Sequence, residues 1–230
     1  MRTDLRRQAA ATRRDPGGYI SPLRFHFLTR FYDGLVRWTT REAVFKDALL
    51  AQLGRAPGEQ LLDVGCGTAT LSVELSRRFP QARVVGLDAD GAALAIARTK
   101  AAGAGVQLDL EQAFADRMPF TSGSFDAAVS SLFFHHLRRD AKRAVLAEIF
   151  RVLKPGGSLH VADWGRPTGP AMRAAFLLVQ ALDGWETTRD SVAGVLPELM
   201  SQAGFANVRH ARNFATALGT MALYSTVKPG

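Results

Sequence analysis

The stretch Leu61-Leu62-Asp63-Val64-Gly65-Cys66-Gly67-Thr68-Ala69 decides the fold of this chain. Its first four residues are typical of a buried strand, and amphipathic helical spacing begins directly after it. Glycines between a strand and a helix let the backbone approach a ligand closely, which a Cβ atom would block. The stretch therefore predicts a ligand site at the end of a central strand.

Short apolar strands alternate with amphipathic helices after this stretch. The pattern predicts strands at 60–64, 83–87, 106–110, 125–130 and 158–162. Helices are predicted between strands and then at 171–182 and 191–203, and the helix that starts with Asp140 as its N-cap is predicted to stop at the Lys-Pro-Gly-Gly turn, 154–157. Such alternation implies a parallel sheet covered on both faces. Two last strand-like runs, 206–214 and 221–227, are close enough in sequence to pair antiparallel.

Composition limits the class of protein. The chain has 230 residues, 47% of them hydrophobic, and a formal net charge of +8. No apolar run reaches the roughly 20 residues that cross a bilayer, and the N-terminus lacks the apolar segment of a secretory signal, so we expect a cytoplasmic location. The single cysteine, Cys66, excludes an intramolecular disulfide and a cysteine-cluster metal site, and we predict no metal ligands. The excess charge is expected in a solvated tail, with nucleic-acid binding as the alternative.

An acidic residue at the end of the next strand sharpens the ligand prediction. Asp88 follows Gly65 by 23 residues and is expected beside the loop, where a carboxylate can accept hydrogen bonds from both hydroxyls of a ribose. A dinucleotide loop needs a third glycine three residues after the second, and Thr70 stands there. S-adenosylmethionine carries no phosphate and does not need that glycine. The loop therefore favours S-adenosylmethionine over a nicotinamide cofactor.

From about residue 31 to residue 163 the chain resembles the class I S-adenosylmethionine-dependent methyltransferases, and within them the ubiquinone/menaquinone-biosynthesis-type small-molecule methyltransferases. The landmarks of the resemblance are Phe31-Tyr32-Asp33, Leu62-Asp63-Val64-Gly65-Cys66-Gly67-Thr68, Gly86-Leu87-Asp88, Met118-Pro119-Phe120, Ser124-Phe125-Asp126, Leu132-Phe133-Phe134-His135-His136-Leu137 and Arg151-Val152-Leu153-Lys154-Pro155-Gly156-Gly157. The resemblance implies an α/β fold: a Rossmann-like, doubly wound sheet of seven strands in the order 3-2-1-4-5-7-6, with strand 7 antiparallel and an N-terminal helical lid.

The resemblance also implies the cofactor-binding residues. They are Tyr32, Asp63, Gly65, Cys66, Gly67, Asp88, Ala89, Ala113, Phe114 and Ser130. Phe114 departs from the family pattern, because relatives often place an aspartate there that accepts a hydrogen bond from the adenine amino group. Ala69, where a third glycine is common, is a smaller departure. Asp63 could instead cap the following helix and Tyr32 could be a core residue, while Cys66 is expected to be a small loop residue and not a nucleophile.

Three residues beyond strands four and five are the catalytic candidates. Methyl transfer from a sulfonium is an in-line displacement with an activated donor, so the enzyme chiefly aligns the acceptor and, if needed, removes a proton. His135, His136 and Asp163 are predicted to serve that step, since relatives place the acceptor side here. The histidines could equally fix a turn by hydrogen bonds, and Asp163 could cap a helix.

The acceptor is predicted to be small and hydrophobic or aromatic, because apolar helices near 25–32 and 171–182 could form a lid over it; they could also be ordinary packing or a homodimer face. The chain lacks the Asp/Asn-Pro-Pro-Tyr motif of enzymes acting on nucleic-acid amines. It also lacks the Arg-Asn pair that true quinone enzymes usually carry after strand four. The alternatives are an RNA or protein methyltransferase, a nicotinamide-dependent oxidoreductase, and a non-catalytic S-adenosylmethionine-binding module.

These features predict the domain organisation. Residues 1–23 are expected to form a flexible basic tail, with arginines at positions 2, 6, 7, 13 and 14. The remainder, 24–230, is predicted to be one methyltransferase domain. It is divided into N-terminal helices at 24–55, a cofactor-binding core at 56–164, and lid helices with a closing hairpin at 165–230.

Overall fold

The computed structural model describes residues 42–54, 58 and 60–230, and the predictions for Tyr32, the basic tail and the first helix lie outside them. The helices of the described part are α1 (Glu42–Ala51), α2 (Thr70–Arg78), α3 (Gly91–Ala104), α4 (Arg139–Val152), α5 (Pro170–Asp183), α6 (Trp185–Ala193) and α7 (Leu196–Gln202). The strands are β1 (Gln60–Val64), β2 (Arg83–Asp88), β3 (Asp109–Gln112), β4 (Phe125–Ser131), β5 (Leu153–Trp164), β6 (Ala206–Thr216) and β7 (Gly219–Val227).

All seven strands form one sheet in the order β3-β2-β1-β4-β5-β7-β6, which confirms the predicted topology. The first five strands pair in parallel, and β7 runs antiparallel to both β5 and β6. The carboxyl ends of β1, β2, β4 and β5 therefore meet at one edge, which is where open α/β sheets bind ligands.

Apolar residues cover both faces of this sheet. Because successive side chains of a strand point to opposite faces, Leu62 and Val64 belong to one core cluster while Leu61 belongs to the other. The same alternation separates Ala128 from Ala127 and Val129 on β4. Burial on both faces explains why the strands read as nearly continuous apolar runs.

The last third of the chain corrects one prediction. The single helix expected over 191–203 is two helices, α6 and α7, because Gly194 adopts a left-handed conformation with φ of 70°. Its backbone N–H donates to the carbonyls of Asp190 and Ser191 and ends α6. Gly194 therefore turns the chain between two helices that the sequence pattern merges.

Three other boundaries differ from the sequence prediction. Strand β3 covers 109–112 and not 106–110. Helix α4 is preceded by Arg138 as N-cap, with Asp140 inside its first turn. Strand β5 begins at Leu153, because the predicted Lys-Pro-Gly-Gly turn is a bulge within it: Phe125 pairs with Leu153 and Ala127 with Ser158. No helix in the described part of the chain is long and apolar enough to span a membrane.

Candidate functional site

An open cleft lies at the carboxyl edge of the sheet, over the ends of β1, β2 and β4. Five of the predicted cofactor-binding residues line it: Gly65, Asp88, Ala89, Ala113 and Phe114. The rest of its wall consists of Leu87, Ala115, Asp116, Phe133, Leu137, Ala141 and Val145. The cleft thus has a polar end at Asp88 and a mostly apolar remainder.

Gly65 begins the loop after β1 with a φ of 70°, a conformation that favours glycine. Its backbone N–H and that of Cys66 donate to the Leu87 carbonyl at 2.8 and 3.0 Å, which joins the loop to β2. A Cβ atom on Gly65 would lie 2.2 Å from the ring of Phe133. The loop and the segment after β4 are therefore in direct contact, and only glycine allows that approach.

Gly67 has open space beside its backbone. Its φ is 53°, and a Cβ atom added there would meet nothing within 4 Å. Its backbone N–H donates to Asp88 Oδ2 at 2.8 Å. The Gly67 backbone is thus held in place beside open space, although Gly67 is not among the residues that line the cleft.

Asp88 is positioned by two backbone amides. Oδ2 accepts from Gly67, and Oδ1 accepts from the Asp90 N–H at 2.9 Å. Each carboxylate oxygen can accept a second hydrogen bond, so the side chain keeps capacity for the two hydroxyls of a ribose. Burial raises the pKa of Asp88, and the Asp90 and Gly67 amides counteract that shift. The residue fits the ribose end of an adenosyl cofactor.

Two predicted cofactor residues support the loop from below and do not line the cleft. Asp63 is buried and accepts a hydrogen bond of 2.6 Å from the Ser72 hydroxyl on α2. The fully buried Ser130 donates from its hydroxyl to the Val64 carbonyl at 2.8 Å. Burial raises the pKa of Asp63 to about 6, while the Ser72 hydrogen bond and the charge of Lys46 act in the opposite direction. Both side chains fix the end of β1.

Cys66 also points away from the cleft. Its Sγ packs against β2, where a Cβ atom on Gly86 would lie 3.0 Å from it. Burial raises the pKa of the thiol, so it is not a thiolate at neutral pH. The side chain therefore fills space between the loop and β2, as expected of a small loop residue.

Asp116 is a site residue that the sequence analysis missed. It lines the same cleft as Phe114, which is 49% exposed. Relatives place an aspartate at the position of Phe114, and Asp116 brings a carboxylate to this wall two residues later. The aspartate two residues after Phe114 is visible in the sequence, but only the fold shows that this position faces the cleft.

Asp163, at the end of β5, organises the turn after β4. Its Oδ2 accepts from the backbone N–H groups of Phe133 and His135 at 3.1 and 3.3 Å. Its Oδ1 lies 2.7 Å from His135 Nδ1 and accepts from the Trp164 N–H at 2.7 Å. Burial opposes ionisation, but the His135 ring and these hydrogen bonds lower the pKa of Asp163. The carboxylate is therefore charged and fully used by the turn.

His135 and Asp163 face a second, small cavity, separate from the cofactor cleft. Lys142 and Asp190 also line it, with a Lys142 Nζ to Asp190 Oδ2 distance of 3.2 Å. The position of His135 is compatible with the alternative role given to it above, in which the histidine fixes a turn by hydrogen bonds. Of the segment after β4, the residues that line the cofactor cleft are Phe133 and Leu137.

His136 lies next to His135, with ring centroids 3.9 Å apart. Burial, and then the neighbouring His135 ring, hold the pKa of His136 well below its usual value, so its imidazole is neutral at physiological pH. Its side chain lines neither cavity. The structure thus brings the three predicted catalytic residues together but places them beside the cofactor cleft and not in its wall.

Comparison with known proteins gives this geometry a family. Residues 61–157 match the model of a methyltransferase domain. An uncharacterized methyltransferase of Synechocystis, sll0829, is 32% identical over 168 residues, covering 73% of this chain and 76% of that protein. The chain belongs to the class I S-adenosylmethionine-dependent methyltransferases. The Gly67 backbone and the Asp88 carboxylate fit the cofactor that the family uses.

A further relative agrees with this assignment of the methyltransferase, and a solved structure shares its fold. The ubiquinone/menaquinone biosynthesis C-methyltransferase UbiE of Desulfotalea psychrophila is 30% identical over 198 residues. The match covers 78% of this chain and 78% of that protein. The crystal structure of YcgJ from Bacillus subtilis shares the fold with a TM-score of 0.66 at 17% identity, over 80% of this chain and 98% of that one. The methyltransferase thus transfers a methyl group from S-adenosylmethionine to a small molecule, and the oxidoreductase, polymer-modifying and non-catalytic alternatives are not favoured.

Proposed function

We propose that the methyl acceptor is a small hydrophobic or aromatic molecule that binds against the apolar part of the cofactor cleft. One observation carries the proposal: the cleft that begins at Asp88 continues along Phe133, Leu137, Ala141 and Val145. These four side chains offer no charge to an acceptor. Transfer of an apolar ring from water to such a wall is favourable, whereas a charged acceptor would lose its solvation there.

The cofactor supplies a methyl group already activated on a sulfonium, so the protein must mainly bind and align. Gly65, Gly67 and Asp88 are proposed to bind the methionine and ribose parts. Phe114 is proposed to pack on the adenine ring and Asp116 to accept a hydrogen bond from its amino group. Ionised Asp63, beneath the loop, is proposed to attract the positively charged amino end of the methionine part.

The relative that acts in quinone biosynthesis supports an aromatic acceptor. This chain differs from the quinone enzymes after β4, where Phe133-Phe134-His135-His136 replaces their usual Arg-Asn pair. The exchange gives the acceptor side an apolar wall at Phe133 in place of a cation. We therefore propose a phenol or quinol without a carboxylate as the acceptor class.

A turnover assay of the full chain tests this proposal. S-adenosylhomocysteine formation would be followed with a panel of alkylated phenols and quinols, their carboxylated counterparts, and bulk RNA and protein. We expect turnover of uncharged aromatic acceptors, with KM decreasing as apolar surface increases. Turnover confined to carboxylated acceptors, RNA or protein would contradict the proposal.

A matched pair of variants tests the apolar wall. Val145→Thr introduces a hydroxyl at nearly constant volume on the cleft side of α4, and Val152→Thr makes the same change at a buried position of α4 outside the cleft. Both variants should lose stability, but only Val145→Thr should raise the KM for an aromatic acceptor. Equal KM values in the two variants would place the acceptor elsewhere.

Several points stay predictions. Direct proton transfer by His135, His136 or Asp163 is one of them, and the contacts of Asp163 equally support a role in holding Phe133 in the wall.

A homodimer is supported by the exposed apolar side chains of Leu178, Leu182 and Trp185. A single domain over 24–230 and a cytoplasmic location are proposed on the grounds given by the sequence.

A further inference from the structure

Three potential metal-ligand side chains converge outside the cofactor cleft. His135 and His136 follow β4, and Asp183 is the last residue of α5. One donor atom from each, a ring nitrogen or a carboxylate oxygen, lies within 4.8 Å of the other two. The sequence predicted no metal ligands, because Cys66 is the single cysteine and Asp183 is far from the two histidines along the chain.

The hydrogen bonds of Asp163 determine the tautomer of His135. Both carboxylate oxygens of Asp163 accept backbone N–H bonds, and Oδ1 also lies 2.7 Å from His135 Nδ1. An ionised carboxylate can only accept, so Nδ1 must carry a proton and donate it. In the neutral form of the imidazole, Nε2 then carries a lone pair and no proton.

That lone pair faces another acceptor. His135 Nε2 lies 3.6 Å from Asp183 Oδ2, with both side chains largely removed from water. Two acceptors that face each other in a buried site repel, unless a cation lies between them. Either a proton, carried by Nε2 or by the Asp183 carboxyl, or a metal ion bound by both atoms satisfies the pair.

The donor set and its surroundings favour the metal ion. Two imidazoles and a carboxylate, with an open fourth position, are a known zinc-binding set. Zinc bonds of about 2.0–2.1 Å put tetrahedral ligand atoms roughly 3.3 Å apart, close to the distance between Nε2 and Oδ2. A metal-bound histidine usually donates its other ring N–H to a carboxylate, which is what His135 does to Asp163.

We propose that His135 Nε2, a ring nitrogen of His136 and the carboxylate of Asp183 bind a divalent transition-metal ion of the zinc type. His136 and Asp183 are partly exposed, which provides an entry path from solvent. The ion joins the end of α5 to the turn after β4. That turn carries Phe133 into the wall of the cofactor cleft, so the metal fixes a part of the acceptor site without lying in the cleft.

Metal titration of the tag-free, chelator-treated full chain tests the site. Calorimetry with Zn²⁺ should give one site per chain with a Kd of about 1 μM or lower, and Co²⁺ should give the visible absorption of a four-coordinate ion. Asp183→Asn and His136→Ala should each weaken Zn²⁺ binding by more than about 100-fold, and Asp163→Asn by roughly 10–100-fold. His210→Ala, at an exposed histidine on β6, should leave the Kd unchanged.

The result can overturn the proposal in two ways. Absence of Zn²⁺ and Co²⁺ binding would assign the cation between His135 and Asp183 to a proton. Binding that survives in both Asp183→Asn and His136→Ala would place the metal elsewhere. Circular dichroism and S-adenosylhomocysteine binding of each variant would show that it is folded, and neither readout depends on the acceptor proposed above.

Discussion

The backbone N–H of Gly67 donates a hydrogen bond of 2.8 Å to the carboxylate of Asp88 and so connects the loop after β1 to the end of β2. One carboxylate therefore shapes the loop and offers its remaining lone pairs to the ligand. The neighbouring Asp90 offers a matched control, because its side chain caps α3 through the N–H groups of Ala92 and Ala93 and does not line the cleft.

Asp88→Ala should weaken S-adenosylhomocysteine binding by roughly 10- to 100-fold, because hydrogen bonds to a charged group contribute about 1.5–3 kcal/mol. Calorimetric titration measures the change. Asp90→Ala is the control, and it should lower the free energy of unfolding by about 1 kcal/mol while changing the Kd less than about 2-fold. Equal Kd values for Asp88→Ala and the parent protein would remove Asp88 from the site.

Asp116 is expected to recognise the amino group of adenine. Asp116→Ala should weaken S-adenosylhomocysteine binding several-fold, and binding of the inosine analogue, which lacks that amino group, should change less. Asp109→Ala, at an exposed residue on β3 paired with Arg83, is the control and should affect neither ligand. If Asp116→Ala weakens both ligands equally, the residue does not contact the adenine amino group.

Asp63 should make the folded protein less stable as the pH rises. Its folded pKa is about 6 against an ordinary value of 3.8, so its contribution to stability is fully present below pH 4 and is lost as the pH rises through 6. Measured by urea unfolding, the free energy of unfolding of Asp63→Asn should increase by about 3 kcal/mol relative to that of the parent protein when the pH is raised from 4 to 7.5. A pH-independent difference between the two proteins would show that the buried carboxyl titrates normally.

His160 should act in the opposite direction over a similar range. Burial between Gln52 and Ser158 lowers its pKa from 6.5 to about 4, so its contribution to stability is present above pH 6.5 and is lost as the pH falls through 4. Between pH 7.5 and pH 4, the free energy of unfolding of His160→Gln should fall by about 3 kcal/mol less than that of the parent protein. An unchanged acid profile would rule out His160 as the titrating group.

Lys142 stabilises the junction of α4 and α6 from inside the second cavity. It is buried and donates to the Thr187 carbonyl and the Asp190 carboxylate. Lys142→Met should lower the free energy of unfolding by about 2–4 kcal/mol, because Asp190 then relies on Arg139 alone. Arg139→Met, which removes the more exposed partner, should lower it less than Lys142→Met does, and urea unfolding would show whether this order holds.

The sequence predicted those parts of the site that depend on local chain geometry. The two loop glycines and Asp88 follow strands whose apolar runs are long and clear, so their meeting at one sheet edge follows from the topology. Gly194, by contrast, is one residue within a helical pattern, and only its left-handed backbone shows that α6 ends there. A single glycine does not by itself distinguish a helix interior from a helix end.

Side-chain direction was the other limit. Asp63, Cys66 and Ser130 stand at family positions for the cofactor, yet all three point into the protein beneath the loop. His135 follows β4 as expected, but the carboxylate of Asp163 turns its ring toward the second cavity. Which way a side chain faces depends on partners that are distant in sequence, and no local pattern encodes them.

The contact between Gly65 and Phe133 has an evolutionary consequence. The phenyl ring occupies the space that any side chain at position 65 would need, and the left-handed backbone adds a second barrier to substitution. A mutation at position 65 can be accepted only after the ring at 133 has been made smaller. Since Phe133 also lines the cleft, a change at residue 133 is the expected first step toward a different acceptor if the acceptor binds there as proposed, while Gly65 stays fixed as long as the ring remains.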